Sequence, residues 1–130
     1  MPKTKLLVLD DRPGRGSRLP LLLKRIGYAV TRSASGEAIR KTAETQPDLI
    51  LIDAAGGRGG DIGGLIGAIK ARFKTPVIVL ASPAEKRKLF GAGQPSPAEC
   101  VTKPFTDTEL QTRLAAAFLK RAASAFIDDE

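Results

Sequence analysis

Histidine is missing from this chain of 130 residues, and cysteine occurs only once. A protein without histidine cannot use that residue as a general base and cannot form the usual zinc sites. A single cysteine excludes an internal disulfide and any metal site built from several cysteines. Catalysis or metal binding would therefore depend on Asp, Glu, Lys, Ser or Thr, whose oxygen ligands suit hard cations such as Mg²⁺.

Long apolar runs are also lacking, so the sequence predicts no membrane insertion through a helix. The N-terminal MPKTK, followed by four apolar residues, is too short for a signal peptide, and we expect a cytoplasmic protein. Hydrophobic residues make up 42% of the chain and charged residues 27%, which is ordinary for a globular protein. The length predicts a single domain over residues 1–130 with a core of its own.

Positive charge is unevenly distributed along the chain, whose formal net charge is +7. Residues 1–45 contain ten lysines and arginines but four acidic residues, whereas residues 46–130 contain eleven and ten. Such a basic segment can bind an acidic partner or nucleic acid, or it can be a solvated surface. The solvated surface is favoured, because Tyr28 is the one aromatic residue among these charges and forms no platform for stacking bases. We therefore do not expect nucleic acid as a partner.

Short apolar runs alternate with segments that have the periodicity of a helix. Between the apolar runs, apolar residues recur at spacings of three and four. Strands that alternate with helices in this way form a parallel sheet with helices on both faces, so the expected fold class is α/β. The predicted strands are Leu6–Leu9, Ala29–Arg32, Leu49–Ile52, Val77–Leu80 and Cys100–Thr102.

Several helix ends are marked by local signals. The segments SPAE, beginning at Ser82, and TDTE, beginning at Thr106, are capping boxes. Phe105 and Leu110 flank the second box as a hydrophobic staple. Gly27 is suited to end the first helix.

Charged residues follow the apolar runs at the end where open parallel sheets bind ligands. Asp10 and Asp11 follow the first run, Asp53 the third, and Lys103 the last. Carboxylates packed together repel one another, so we expect a divalent cation among them, and the lysine could hold an anionic oxygen such as phosphate. Taken alone, Asp10 and Asp11 are as consistent with a structural role, in a helix cap or an Asx turn, as with a metal site. The combination with Asp53 and Lys103 favours a site.

With these residues the chain resembles the receiver domain of two-component response regulators over nearly its whole length. The resemblance implies a doubly wound, flavodoxin-like sheet of five strands in the order 2-1-3-4-5. The segments that carry it are LLVLDD at 6–11, GYAV at 27–30, PDLILID at 47–53, TPVIVLAS at 75–82 and VTKPF at 101–105.

The same resemblance implies a phosphoacceptor. Asp53 would receive a phosphoryl group from a histidine kinase, a phosphotransfer protein or a small phosphodonor, and Lys103 would pair with that group. The peptide bond between Lys103 and Pro104 would be cis. Such a domain catalyses at most its own phosphorylation and dephosphorylation, and it acts on a downstream protein that the sequence does not identify.

The resemblance also implies a set of Mg²⁺ ligands. Asp11 would bind the ion directly and Asp10 through water, and Asp53 and the backbone carbonyl of Ala55 would complete the protein ligands. Every one of these donors is an oxygen.

Two positions depart from the family pattern. Five residues after the proline that opens the fourth strand, where the family has Thr or Ser, stands Ala81. Ser82 could supply the missing hydroxyl or cap the next helix, and the cap is favoured because a shift of one residue along a strand reverses the side chain. Cys100 stands where the family has a Tyr or Phe that swings between exposed and buried positions. It is interpreted as a small buried residue rather than a redox sensor.

Two functional hypotheses remain. In the first, the domain is phosphorylated on Asp53 and uses an atypical output switch, for which the glycine-rich loop after this residue and the third helix are candidates. In the second, it is a degenerate receiver that binds proteins independently of phosphorylation. The four charged residues favour the first hypothesis, whereas Ala81 and Cys100 favour a changed output. The partner surfaces of the family would correspond here to residues 85–90 and 110–121.

Overall fold

The computed structural model describes residues 4–10, 18–54, 62–90 and 99–128. Strands and helices alternate along these residues, and one 3-10 turn, Ser35–Glu37, precedes the second helix. The strands are β1 Lys5–Leu9, β2 Ala29–Ser33, β3 Leu49–Asp53, β4 Val77–Ala81 and β5 Glu99–Thr102. The helices are α1 Arg18–Ile26, α2 Ala38–Thr45, α3 Ile62–Arg72, α4 Pro83–Phe90 and α5 Asp107–Asp128.

The described strands form one parallel sheet in the order β2-β1-β3-β4-β5. This doubly wound arrangement confirms the predicted fold class and strand order. All the predicted strands are present, with ends that differ by one residue. β3 and β4 each continue one residue further than predicted, because Asp53 still pairs with Leu80 and Ala81 with Thr102.

Two hydrophobic clusters lie on the two faces of the sheet. Alternate residues of a strand point to opposite faces, so β1 contributes Leu6 and Val8 to one cluster and Leu7 and Leu9 to the other. The first cluster contains side chains of α1 and α5, and the second contains side chains of α2 and α3. β1, β3 and β4 are nearly continuous runs of buried apolar residues because both of their faces are covered.

The helix ends follow the local signals of the sequence. Ser82 and Glu85 form the predicted capping box, in which Ser82 N–H donates to Glu85 Oε1 at 2.8 Å and Glu85 N–H donates to Ser82 Oγ at 3.1 Å. At the start of α5, Thr106 Oγ1 accepts the N–H of Glu109 at 3.0 Å. Gly27 ends α1 with a φ of 122°, a conformation that favours glycine.

None of the helices in the described part of the chain is long and apolar enough to cross a membrane.

Candidate functional site

Two buried carboxylates lie side by side at the carboxyl edge of the sheet. Asp53 is the last residue of β3 and is only 7% exposed. Leu9 of β1 lies opposite Ile52 of β3, so the same register carried one residue further places Asp10 opposite Asp53. Adjacent strands are about 4.8 Å apart. Asp10 is 6% exposed, so both acids have lost most of their hydration.

The alternation of side chains also places the two acids on the same face of the sheet. Asp10 is an even number of residues from Leu6 and Val8, and Asp53 is an even number of residues from Leu49 and Leu51, so each acid points to the same face as those residues. All four of these apolar residues belong to the cluster that includes α1 and α5. The carboxylates therefore continue the apolar rows of that face, at the point where the rows reach the edge of the sheet.

Lys103 supplies a cation to Asp53. Its backbone N–H donates to the carbonyl of Ala81 at 2.9 Å, which holds the residue after β5 against the end of β4. The peptide bond between Lys103 and Pro104 is cis. The ammonium Nζ lies 2.6 Å from Asp53 Oδ1, the distance of a strong hydrogen bond between charged groups.

The same ammonium has a second acidic neighbour. Nζ of Lys103 lies 3.8 Å from Glu85 Oε1, the oxygen that also accepts the N–H of Ser82. Glu85 thus takes part in the start of α4 and in the charge balance around Lys103. The sequence predicted its capping role, but not its closeness to the lysine.

Asp10 also has a cationic neighbour. Its backbone N–H donates to the carbonyl of Ser33 at 3.1 Å, which holds the end of β1 against the end of β2. Arg32, the residue before Ser33, places Nη2 at 3.6 Å from Asp10 Oδ2. This distance is that of an ion pair rather than a hydrogen bond. Arg32 was not predicted to belong to the site, although it lies opposite Val8 and so shares the face of Asp10.

The donors available for a cation are oxygens. Asp11 and Ala55, which the family resemblance assigned to the metal, lie outside the described residues. Within the described ranges no group of three acidic, histidine or cysteine residues gathers around a common point. The two described donors, Asp10 and Asp53, are buried carboxylates, a type of ligand that fits Mg²⁺.

The three candidate switch positions have structural roles. Ala81 is buried in the cluster that includes α2 and α3, on the face opposite the two acids. Ser82 caps α4, as favoured from the sequence. Cys100 is half-buried against the same cluster as Ala81, and its backbone carbonyl accepts a hydrogen bond from Arg113 at 3.1 Å.

Comparison with known proteins extends these observations. No family model matches the chain. The transcriptional regulatory protein KdpE of Mycobacterium tuberculosis is 31% identical over 96% of the chain, which spans 55% of that relative. Protein PilG of Pseudomonas aeruginosa is 32% identical over 82% of the chain and 81% of its own length. The chain thus spans about half the length of some relatives and most of the length of others.

One of the similar solved structures contains a magnesium ion. The receiver domain of the sensor histidine kinase PA1611 from Pseudomonas aeruginosa superposes with a TM-score of 0.69 and 26% identity. The superposition covers 87% of this chain and 95% of that domain. That domain was solved with a magnesium ion coordinated in its active-site cleft.

Proposed function

Since the chain belongs to the receiver-domain family of two-component response regulators, we propose that it is a phosphoacceptor whose acceptor residue is Asp53. The observation that carries this proposal is the buried Asp53 carboxylate with the Lys103 ammonium at 2.6 Å. The carboxylate is a nucleophile for phosphorus, and the ammonium is positioned for the negative charge that arrives with the phosphoryl group.

The proposed reaction is an in-line displacement at phosphorus. A carboxylate oxygen of Asp53 forms the new P–O bond, while the bond from phosphorus to the donor breaks and its electron pair leaves with the donor. The donor would be a phosphohistidine of a kinase or phosphotransfer protein, or a small phosphodonor. Lys103 would then pair with a phosphoryl oxygen instead of the free carboxylate. Because the chain contains no histidine to act as a base, catalysis would depend on positioning the phosphodonor beside Asp53 and on neutralising the charge of the transferred phosphoryl group.

Mg²⁺ fits this reaction as the second source of positive charge. Asp10, Asp11, Asp53 and the backbone carbonyl of Ala55 would hold it, and the ion would neutralise the oxygens of the transferred group. Support comes from the buried carboxylates of Asp10 and Asp53 and from the magnesium ion in the related PA1611 domain.

A second candidate function is favoured by the switch positions. Ala81 carries no hydroxyl and lies on the opposite face from Asp53, while Ser82 is engaged in the cap of α4. Under this alternative, residues 1–130 form a receiver-like domain that binds a protein partner whether or not Asp53 is phosphorylated.

Intact mass spectrometry after incubation with acetyl phosphate tests the proposal. Wild-type protein with Mg²⁺ should gain the mass of one phosphoryl group, and the gain should disappear with EDTA or in Asp53→Asn. Asp48→Asn is a matched control, because Asp48 precedes the opposite end of β3 and accepts the N–H of Lys5 at 2.8 Å.

The outcomes separate the two functions. An adduct in wild type and Asp48→Asn, but not in Asp53→Asn, supports the phosphoacceptor. A folded wild-type protein that gains no mass with acetyl phosphate or with phosphorylated histidine kinase favours the phosphorylation-independent module. An adduct that persists in Asp53→Asn contradicts the assignment of the acceptor.

A further inference from the structure

Arg32 brings a positive charge to the proposed metal site from the neighbouring strand. Its Nη2 lies 3.6 Å from Oδ2 of Asp10, whose side chain is 1% exposed while that of Arg32 is 35% exposed. The guanidinium therefore reaches from the solvent side of β2 towards a carboxylate that is almost completely buried. An arginine stays protonated at every physiological pH, so this charge is permanent.

The register of the sheet brings Arg32 and Asp10 within reach of each other. Arg32 lies opposite Val8, and Asp10, which directly follows β1, shares the face of Val8 because the two residues are two apart along the chain. The hydrogen bond from Asp10 N–H to the carbonyl of Ser33 then holds the two strand ends together. These constraints leave the long side chain of Arg32 within reach of the carboxylate.

From this geometry we propose that Arg32 is a built-in competitor of Mg²⁺ and sets the affinity of the site for the ion. The inference depends on the metal site of the proposed function. Without metal, the guanidinium offsets the charge of Asp10. When Mg²⁺ binds, the ion and the guanidinium attract the same carboxylate and repel each other, so part of the attraction for the metal is lost. Arg32 is thus a residue that tunes metal affinity without coordinating the ion.

The test is the dissociation constant for Mg²⁺, measured by isothermal titration calorimetry on the full chain. Because the variant removes the repulsion between the guanidinium and the ion, Arg32→Gln should bind Mg²⁺ about tenfold more tightly than wild type. Arg32→Lys keeps a cation and should stay closer to wild type. Arg72→Gln makes the same change in net charge at the end of α3, and screening should leave its constant within about twofold of wild type.

Thermal unfolding supplies a second readout, which does not depend on phosphorylation. In EDTA, Arg32→Gln should unfold at a lower temperature than wild type, because buried Asp10 loses a neighbouring cation. In saturating Mg²⁺ the difference should shrink or reverse. Arg32→Met keeps the aliphatic stem and should give the same pattern, and it replaces the glutamine variant should that one fail to fold.

The Mg²⁺ dissociation constants decide whether Arg32 competes with the ion. A constant for Arg32→Gln that equals that of Arg72→Gln, or weaker binding, overturns the role of Arg32. If wild type binds Mg²⁺ and Asp10→Asn does not, the assigned metal site is supported, whether or not Arg32 affects its affinity. If neither wild type nor Arg32→Gln binds Mg²⁺, or Asp10→Asn binds it as well as wild type, the metal site as assigned fails together with this inference.

Discussion

The pair formed by Asp53 and Lys103 should respond very differently to the loss of its two members. Asp53 is 7% exposed, whereas the Lys103 side chain is 24% exposed and has Glu85 at 3.8 Å as a second acidic neighbour. Lys103→Met leaves a buried carboxylate facing a methyl group. Asp53→Asn leaves an ammonium that can still reach water and Glu85. We therefore expect Lys103→Met to be clearly the more destabilising change.

The size of the effect follows from the geometry. Two unit charges 2.6 Å apart attract each other by about 6 kcal/mol at an effective dielectric constant of 20. Lost hydration cancels part of this attraction, and removing one partner of a fully buried pair destabilises a protein by about 3–5 kcal/mol. Because Lys103 is partly exposed, we expect about 2 kcal/mol for Lys103→Met. For Asp53→Asn we expect less than about 1 kcal/mol.

Urea denaturation followed by circular dichroism in EDTA measures this asymmetry. Circular dichroism is the suitable probe because the chain has no tryptophan. A loss of 2 kcal/mol should lower the urea midpoint by about 1 M, and Mg²⁺ should restore part of it in Lys103→Met by neutralising the carboxylate. Lys120→Met, at an exposed position of α5, is the control for loss of a lysine charge. Equal losses in the two site variants, or a larger loss in Asp53→Asn, would refute the reasoning.

Two further predictions concern the helix cap and the single tyrosine. Ser82→Ala should lower the free energy of unfolding by about 1 kcal/mol, because the N–H of Glu85 loses its acceptor. Glu85→Gln keeps an oxygen for the N–H of Ser82 and should lose less, and an equal or larger loss would contradict this account. Burial raises the pKa of Tyr28 above its ordinary 10.0. Its absorbance at 295 nm should therefore titrate above pH 10 in the folded protein, and a midpoint at or below 10 would be inconsistent. The stability from neutral Tyr28 is complete below pH 10 and is lost as the pH rises through the raised folded-state pKa, a loss that Tyr28→Phe should not show.

Much of the candidate site could be predicted from the sequence because its acidic residues directly follow apolar runs that predict strands. Asp10 and Asp53 each follow an apolar run, and parallel strands bring such positions to one edge. The roles of Ser82 in α4 and of Gly27 at the end of α1 are also local, since their partners lie within four residues along the chain.

The contacts of Arg32 and Glu85 escaped prediction because they depend on which oxygen a long side chain reaches. Arg32 was treated as part of a dispersed basic segment, although it ends a predicted strand whereas the exposed cations of α1 lie in a helix. Glu85 was correctly predicted to take part in a capping box, but its second neighbour, Lys103, follows another strand. Arg32 could have been assigned to the site from the register of β1 and β2, in which it lies opposite Val8 and therefore on the same face as Asp10.

The alternation of strands and helices, the helix caps and the edge at which the charged residues gather could all be predicted from the order of the residues. The strands, helices and caps follow from periodicity and from interactions over a few residues, and the edge follows from the rule that parallel strands all end on the same side of the sheet. The tertiary structure alone decided how the charges pair. Asp53 and Lys103 are 50 residues apart and meet at 2.6 Å only because β4 lies between their strands in the same parallel register. Arg32 reaches Asp10 because β2 lies beside β1, and strand order and register are properties of the assembled sheet.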